Sequence, residues 1–439
     1  MNKRFKQSIL LVGDLVILHC ALLLTLIVRY FENPLTYWHS HWPYFLPVFV
    51  IWIIVLYISG AYDLNLIYNR RRFHSTAINA TIGSALLAIL YFYLNRSEIT
   101  PKTNLAIFSI IFLIIFVLWR SLYNFIVKSY LPKNNLAFIG WNEQSAKLLE
   151  DVKNQPHSGF ETALIFKNKE EIKNLPALIK EKNIHTLVIS TELFKDEELR
   201  QVLFDCLSLH VAFYNFVDFY ESINGKVPLE AIDQAWFIEN LDESQKNFFN
   251  LTKRVFDLVL SLILFIISLP FWPFIALIIK LESRGSVFFK QTRVGQQEVN
   301  FQMIKFRTMK TNGNHGGMTQ EHDNRITRFG NILRKTRLDE IPQVLNIIKG
   351  EMSFIGPRPE RPEFVSDLAK AIPFYKTRLL IKPGVTGWDQ VSGFYHSPSV
   401  ADTIEKLQYD LYYLKHRSLY LDLAIFLKTI ATVLGRNGR

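Results

Sequence analysis

Cysteine is almost absent from this chain: two residues in 439, Cys20 and Cys206, far apart in the sequence. That argues against a disulfide framework and against a cysteine-built metal site. The histidines offer no substitute, because His315, His322 and His396 lack metal-ligand spacing and fall in loop-like sequence. Acidic residues are in deficit, 39 against 50 lysines and arginines, for a net charge of +11. A nucleic acid is one partner that would suit such a charge; an anionic membrane face with anionic substrates is another. A cleavable signal peptide is not evident: the first apolar run has no small-residue cleavage site and leads into further apolar runs.

What the chain has in quantity is apolar and aromatic residues, 49% and 14%, with a positive mean hydropathy. The length suggests roughly two to four domains. Four apolar runs fill the first third: Ser8–Val28, Tyr44–Gly60, Thr76–Leu94 and Leu105–Val127. Each approaches the ~20 residues needed to cross a bilayer. The loops "MNKRFK", "NRRRFHS" and "YNFIVKSYLPK" are basic, whereas "ENPLTYWHSHWP" has neither Lys nor Arg. Positive charge concentrates on the cytoplasmic side, so both ends of a four-helix bundle, 1–130, are expected there. Asp14, His19 and Arg120 lie within or beside the runs with no paired pattern, and packing or interfacial roles are expected for them.

After Asn134 the pattern changes. The β-rich runs "NNLAFIG", "TALIF", "IHTLVIS" and "HVAFYNF" alternate with helical stretches, which predicts a parallel sheet of Rossmann type over 134–240. Its first turn should carry a glycine-rich phosphate loop. Instead Gly140 is followed by Trp141, Asn142, Glu143, Gln144 and Ser145. A regulatory or scaffolding module is expected in preference to a nucleotide site.

The next apolar run, "KRVFDLVLSLILFIISLPFWPFIALIIKLESRG", is long enough to span a membrane, yet Pro270 and Pro273 interrupt it. An interior proline costs a helix ~3 kcal/mol or more. Ser268 could bond a carbonyl freed at the break. Basic residues flank both ends, Lys246, Lys253 and Arg254 before, Lys280, Arg284, Lys290 and Arg293 after, so a full span would expel one basic flank. A re-entrant helix over 253–281 keeps both in the cytoplasm; an ordinary kinked span is the alternative.

The last third is basic and rich in turns. "FQMIKFRTMK" places Lys305 and Arg307 two apart, on one face if extended. "NRITRFGNILRKTR" supplies Arg325, Arg328, Arg334 and Arg337, "GPRPERP" holds Arg358 in a proline-stiffened loop, and "RLLIKPGVTGW" adds Arg378 and Lys382. Arginine takes phosphate bidentately, and rigid presentation lowers the ordering cost. Any one cluster reads as solvated surface; several together point to a phosphorylated lipid and a phosphorylated soluble substrate. Among them stand two adjacent carboxylates, Asp339 and Glu340. Their repulsion raises at least one pKa unless cations lie near. The plain reading is a solvated helix start, with Thr336 and Asp339 as a capping pattern.

The stretches "KRVFDLVLSLILFIISLPFWPFIALIIKLESRGSVFFKQTRVG", "FQMIKFRTM", "DNRITRFGNILRKTRLDEIPQVLNIIKGEMSFIGPRP" and "RLLIKPGVTGWDQV" resemble the bacterial sugar transferase family, the monotopic polyprenyl-phosphate hexose-1-phosphate transferases, from Lys253 to about Gly435. The whole chain resembles the large members, the undecaprenyl-phosphate glucose phosphotransferases among them. That resemblance implies a membrane α-helical bundle, an α/β Rossmann-like domain with a degenerate nucleotide turn, and an α-rich catalytic domain, 248–439, with a re-entrant membrane helix. It implies transfer of a sugar 1-phosphate from a UDP-sugar to undecaprenyl phosphate with release of UMP, the initiating step of exopolysaccharide, capsule or O-antigen-like glycan synthesis. Glucose is the expected sugar, with galactose or an N-acetylhexosamine as alternatives.

The family's dyad falls on Asp339 and Glu340, its Pro-Arg-Pro motif on Pro357, Arg358 and Pro359, and its membrane-break proline on Pro270, with Ser268 nearby. Asp339 would form a sugar-phosphoryl aspartate, and Glu340 would hold Mg2+ against the diphosphate. Lys305, Arg307, Arg325, Arg337, Arg358 and Arg378 would take substrate charge. The bacterial inner membrane, a cytoplasmic catalytic domain, and partners that include no nucleic acid follow from the same resemblance; the extra bundle could support a homodimer. Two other classes stay open. A membrane receptor or regulator would give the dyad no task, so carboxamides there would be silent. A glycosyltransferase that moves the sugar without its phosphate would release UDP.

Overall fold

The computed structural model describes every residue except 1–2, 32, 65–69, 96–100, 131–133, 141, 156–157, 168, 173, 195, 242–245, 311–322, 324, 393–398 and 435–439. His315, His322, His396 and Trp141 lie outside the described residues. The chain divides into two compact units, Met1–Asn224 and Gly225–Arg439.

Four helices open the first unit: α1 (Lys3–Arg29), α2 (Pro34–Ile58), α3 (Arg70–Leu94) and α4 (Pro101–Tyr130). Each contains a stretch long and apolar enough to cross a membrane. Their inner faces follow the helical repeat. On α4, Phe108, Phe112 and Phe116 recur at every fourth position and are fully buried, and Trp52 of α2 meets Phe108 edge-on at 5.3 Å. The same stripe continues to Arg120. On α1 a matching stripe runs from the buried Leu10 to Asp14. Arg120 Nη2 donates to Asp14 Oδ2 at 2.7 Å, with both side chains at most 1% exposed. The two polar residues that read as unpaired in the sequence are therefore partners across the bundle, separated by 106 positions. Removing either would strand a buried charge, which costs on the order of 3–5 kcal/mol. His19 is half-buried, hydrogen-bonds Leu15 O of its own helix and packs its ring 4.8 Å from that of Phe49 on α2.

The rest of this unit is a parallel sheet of β1 (Asn134–Ile139), β2 (Phe160–Phe166), β3 (Ile184–Ile189) and β4 (Ala212–Asn215), in the order β2-β1-β3-β4. Helices α5 (Glu143–Asn154), α6 (Leu175–Glu181) and α7 (Glu197–Asp205) lie in the crossovers. An α/β domain with a small parallel sheet thus follows the apolar helices. At the turn after β1, Gly140 has φ +88° and a Cβ there would lie 2.5 Å from Ser190 Oγ. The start of α5 is closed by its own side chains: Asn142 Oδ1 accepts the Ser145 N–H at 2.8 Å and the Ser145 hydroxyl at 2.9 Å.

In the second unit α8 (Asn247–Ser268), a 3₁₀ turn (Leu269–Phe271) and α9 (Trp272–Glu282) form one apolar element of 36 residues. Pro270 has no N–H to offer the fourth carbonyl before it. Ser268 Oγ donates to Phe265 O at 3.2 Å, one residue before the carbonyl that Pro270 leaves, and accepts the Trp272 indole N–H at 3.1 Å. Both arms of the element are held by this same unit. Arg254 on α8 donates to Ile347 O at 2.7 Å and Ile348 O at 2.9 Å, and Asp257 accepts the Phe354 N–H at 3.2 Å. Trp272 at the start of α9 packs against Phe288 and Phe306, ring centroids 5.7 and 5.5 Å away. Beyond α9 come the antiparallel hairpin β5 (Phe288–Val294) and β6 (Asn300–Phe306), α10 (Arg328–Lys335), a 3₁₀ helix (Leu338–Gln343), and α11 (Val344–Lys349). The short parallel pair β7 (Ser353–Ile355) and β8 (Gly384–Thr386) and the helices α12 (Val400–His416) and α13 (Leu419–Leu434) follow, with the helix Pro362–Ala371 between the two strands. Ile347, Met352, Tyr413, Leu414 and Ile425 form its core.

Candidate active site

Helix α10 stops at Thr336, whose hydroxyl donates back to Ile332 O at 2.8 Å and Leu333 O at 3.2 Å. Thr336 thus closes one helix instead of capping the next. Arg337 then adopts φ +55°, a left-handed conformation uncommon for a residue with a Cβ. This reversal starts the 3₁₀ helix and turns Asp339 and Glu340 inward. Asp339 is 8% exposed and the Glu340 side chain 11%. The solvated helix start expected from local sequence does not describe them.

Two cations meet Glu340. Lys305, next to last on β6, donates to Oε1 at 2.6 Å, and Arg358 Nη2 donates to the same oxygen at 3.1 Å. Burial opposes ionisation of Glu340, but the Lys305 and Arg358 charges outweigh it and hold the carboxyl well below its usual range. Asp339 behaves differently. Burial first, and then the Glu340 charge, push its carboxyl up to about 6, against the pull of Lys305 and Arg334. Neighbouring carboxylates are thereby set apart, one locked as an anion and one titrating just below neutrality. Such a split is a feature of sites that divide acid, base or nucleophilic roles between two groups.

Arg358 is presented by a tightly held loop. Four successive carbonyls each receive a donor: Pro357 O from Gly384 N at 2.9 Å, Arg358 O from Arg378 Nη2 at 3.0 Å, Pro359 O from Arg293 Nη1 at 3.1 Å and Glu360 O from Val294 N at 2.9 Å. The two strands approach so closely that a Cβ on Gly384 would sit 2.2 Å from Gly356 N. Arg378 is itself fixed, donating from Nε to Asp410 at 2.9 Å and from Nη1 to the Tyr375 hydroxyl at 3.0 Å, all fully or nearly buried.

The expected cationic residues therefore separate. Lys305 and Arg358 meet at the dyad, and Arg337 lines a cavity of about 400 Å³ together with Glu340, Ser268 and Phe271. Arg307 points elsewhere than Lys305: its Nη2 donates to Ser283 O at 2.7 Å and Ile279 O at 3.5 Å, taking carbonyls at the end of α9. Arg325 pairs with Asp323 at 2.6 Å. Arg378 supports the Arg358 loop from behind. The sequence reading took Arg293 only as flanking positive charge and missed its role, which depends on a loop 66 residues away. It also missed α13 as part of the cavity, because that helix reads as one more apolar run. Among the described residues no group of three His, Cys, Asp or Glu side chains could hold a metal by itself.

The profile of the family described as bacterial sugar transferase matches residues 248–436. A UDP-N-acetylgalactosamine-undecaprenyl-phosphate N-acetylgalactosaminephosphotransferase of Aeromonas hydrophila is 38% identical over 239 residues, 54% of this chain and 56% of that protein. A UDP-glucose:undecaprenyl-phosphate glucose-1-phosphate transferase of Xanthomonas campestris is 40% identical over 194 residues, 43% of this chain and 40% of its own length. One of the same description from Caulobacter vibrioides is 38% identical over 188 residues, 42% of this chain and 70% of that one. The chain thus spans about half the length, or less, of the first two relatives.

Proposed function

The chain belongs to the bacterial sugar transferase family, and from that premise we propose that it transfers a sugar 1-phosphate from a UDP-sugar to undecaprenyl phosphate, releasing UMP and so initiating a surface glycan. The observation that carries this reading is the divided dyad: a buried Asp339 titrating at about 6 beside a Glu340 that Lys305 and Arg358 keep ionised. At neutral pH Asp339 is mostly anionic, with its electron pairs available and little water to compete.

The reaction runs in two displacements. A carboxylate oxygen of Asp339 attacks the β-phosphorus of the UDP-sugar. The bond from that phosphorus to the oxygen bridging to the α-phosphorus breaks, and UMP leaves with the electron pair. A phosphate oxygen of undecaprenyl phosphate then attacks the phosphorus of the sugar-phosphoryl aspartate, which frees Asp339 and forms undecaprenyl-diphosphate-sugar. Phosphoryl transfer asks chiefly for positioning and charge neutralisation. The pinned Arg358 loop and Lys305 supply both, and Arg337 extends positive charge toward the cavity.

The donor set also suits Mg2+. Both cations bond Oε1 of Glu340, so Oε2 takes neither of them. Mg2+ is typically held by one or two carboxylates plus substrate phosphates, without an all-protein cage. Glu340, with Asp339 beside it, would hold the ion, which when bound would neutralise charge on the diphosphate.

Glucose is the proposed sugar, supported by the names of several relatives; the Aeromonas hydrophila relative keeps an N-acetylhexosamine as the alternative. The apolar element Asn247–Glu282 is proposed to dip into the cytoplasmic leaflet of the bacterial inner membrane and return. Its support is that both arms bond the same unit. The covalent step is tested by incubating the protein with UDP-glucose labelled in its β-phosphate and no lipid. Label should appear on the peptide bearing Asp339, and label on any other side chain refutes the assignment.

A further inference from the structure

The stretch shared with the sugar transferase family begins at residue 248, yet the compact unit that holds the dyad begins at Gly225. The two displacements give the residues between them no task. Those residues are nonetheless fastened firmly to the unit. Gly225 O accepts the Trp388 indole N–H at 2.7 Å, and Lys226 Nζ donates to Glu405 Oε1 at 2.7 Å. Val227, fully buried, donates its N–H to Gln408 O at 3.1 Å. Asp233 Oδ1 accepts the Trp236 N–H at 3.0 Å and so starts the short helix Gln234–Asn240. From that helix Trp236 meets Lys415, whose Nζ lies 5.4 Å from the ring centroid, and Phe237 packs 4.7 Å from Phe374. The segment Gly225–Leu241 thus runs along α12, from Glu405 to Lys415.

Two routes lead from this segment to Arg358. The first passes through Trp388, which opens the short helix Trp388–Val391 just after β8. Its ring is held between Tyr412 of α12, centroids 5.9 Å apart, and Lys428 Nζ of α13, 4.9 Å from the ring. Immediately upstream, Thr386 O accepts the Gly356 N–H at 2.9 Å and Gly384 N donates to Pro357 O at 2.9 Å. The second route passes through α12, whose Asp410 fixes Arg378 at 2.9 Å, and Arg378 Nη2 donates to Arg358 O at 3.0 Å. Both end on the loop whose guanidinium meets Glu340 at 3.1 Å.

We propose that Gly225–Leu241 is a strap that positions Arg358 against Glu340, with Trp388 as the positioning residue through which it acts; its use in catalysis rests on the reading of the chain as a sugar-phosphate transferase. A charged group at a reacting centre works only when supporting hydrogen bonds hold it in place, and a misplacement of about 1 Å can cost on the order of a hundredfold in rate. Loss of the Trp388 bond frees the turn after β8, and the Gly384–Pro357 and Thr386–Gly356 bonds pass that freedom to Arg358. The competing account is a strap that adds stability alone.

The experiment uses the full chain in phospholipid nanodiscs. Trp388→Phe keeps an aromatic ring and removes the N–H; Lys226→Met keeps the stem and removes the pair with Glu405. Hydrogen–deuterium exchange at the Gly356 and Gly384 amides should quicken roughly tenfold in Trp388→Phe. Its kcat for UMP release from UDP-glucose, measured with undecaprenyl phosphate and Mg2+ well below the melting temperature, should fall about tenfold or more, with KM for UDP-glucose within about twofold. Lys226→Met should show the same two effects, smaller, and it carries both readouts if Trp388→Phe does not fold. The double variant should lose less than the product of the single losses, because both act on one group. A lower Tm with kcat unchanged, or exchange unchanged at Gly356 and Gly384, overturns the proposal. If the unmodified chain releases no UMP, the reaction fails separately: faster exchange at those two amides then still upholds the strap, and unchanged exchange removes it.

Discussion

Asp339→Asn should make the protein more stable at neutral pH while abolishing turnover. The Asp339 carboxyl rises from its ordinary 3.8 to about 6, through burial and then the neighbouring Glu340 charge. A rise of about two pH units corresponds to about 3 kcal/mol. Its folded-state pKa lies above the unfolded one, so the folded state holds the extra proton between those values. The contribution of this one group is most favourable below pH 3.8 and is lost as pH climbs through 6; above that the folded protein carries the full penalty. An amide of nearly the same shape carries none. At pH 8 the variant should gain up to about 3 kcal/mol, or roughly 5–10 °C in Tm for a unit of this size. The gain should shrink as the buffer is taken from pH 8 to pH 5. Tryptophan fluorescence during thermal unfolding in detergent, at one fixed scan rate, reads the difference, because such melts report rates as well as equilibria. The same titration should give the unmodified enzyme an acid limb in its rate profile near pH 6. A variant that melts lower at pH 8, or whose gain is independent of pH, refutes the reasoning.

Glu340→Gln should act in the opposite direction. The Glu340 pKa is depressed, so its contribution is present above its ordinary 4.5 and lost only as pH falls through the lower folded value. The amide leaves Lys305 without its charge partner, at a cost on the order of 3 kcal/mol, and melts taken between pH 6 and pH 8 should show an undiminished loss. Arg378→Lys keeps a cation for Asp410 but cannot also reach Tyr375 and Arg358 O. It should lower kcat by about ten- to a hundredfold and also lower Tm, because two buried partners lose their donor, whereas a change confined to Tm would make Arg378 merely structural. Tags placed near Lys246 and after Arg284 should both report the cytoplasmic side, and opposite sides would establish a full span.

Much of the architecture was legible because bilayers and sheets impose simple periods. The four apolar runs became α1 to α4, each beginning before its run, since a helix continues beyond the hydrocarbon once its backbone is bonded. Pro34 at the start of α2 shows why the run beginning at Tyr44 understated it. The Asp14–Arg120 pair was legible in principle: each polar residue extends an i, i+4 apolar stripe, and two inward stripes on packed helices must bring opposite charges together. The dyad and the Arg358 loop stood out as dense motifs. The functional divergence of Lys305 and Arg307 did not, because β6 ends at Phe306 and the alternation that would align them ends with it. The tasks of Arg293 and Arg378 were hidden for another reason. Each serves a backbone carbonyl supplied by a distant loop, and nothing local announces an acceptor of that kind.

The most direct test of the central claim is the nucleotide product. Purified protein is incubated with undecaprenyl phosphate, Mg2+ and UDP-glucose labelled in the β-phosphate, and both nucleotide and lipid are recovered. Transfer of a sugar phosphate predicts UMP in the aqueous phase and label in a lipid that also carries glucose, with neither product from Asp339→Asn. Recovery of labelled UDP, with glucose alone on the lipid, would contradict it.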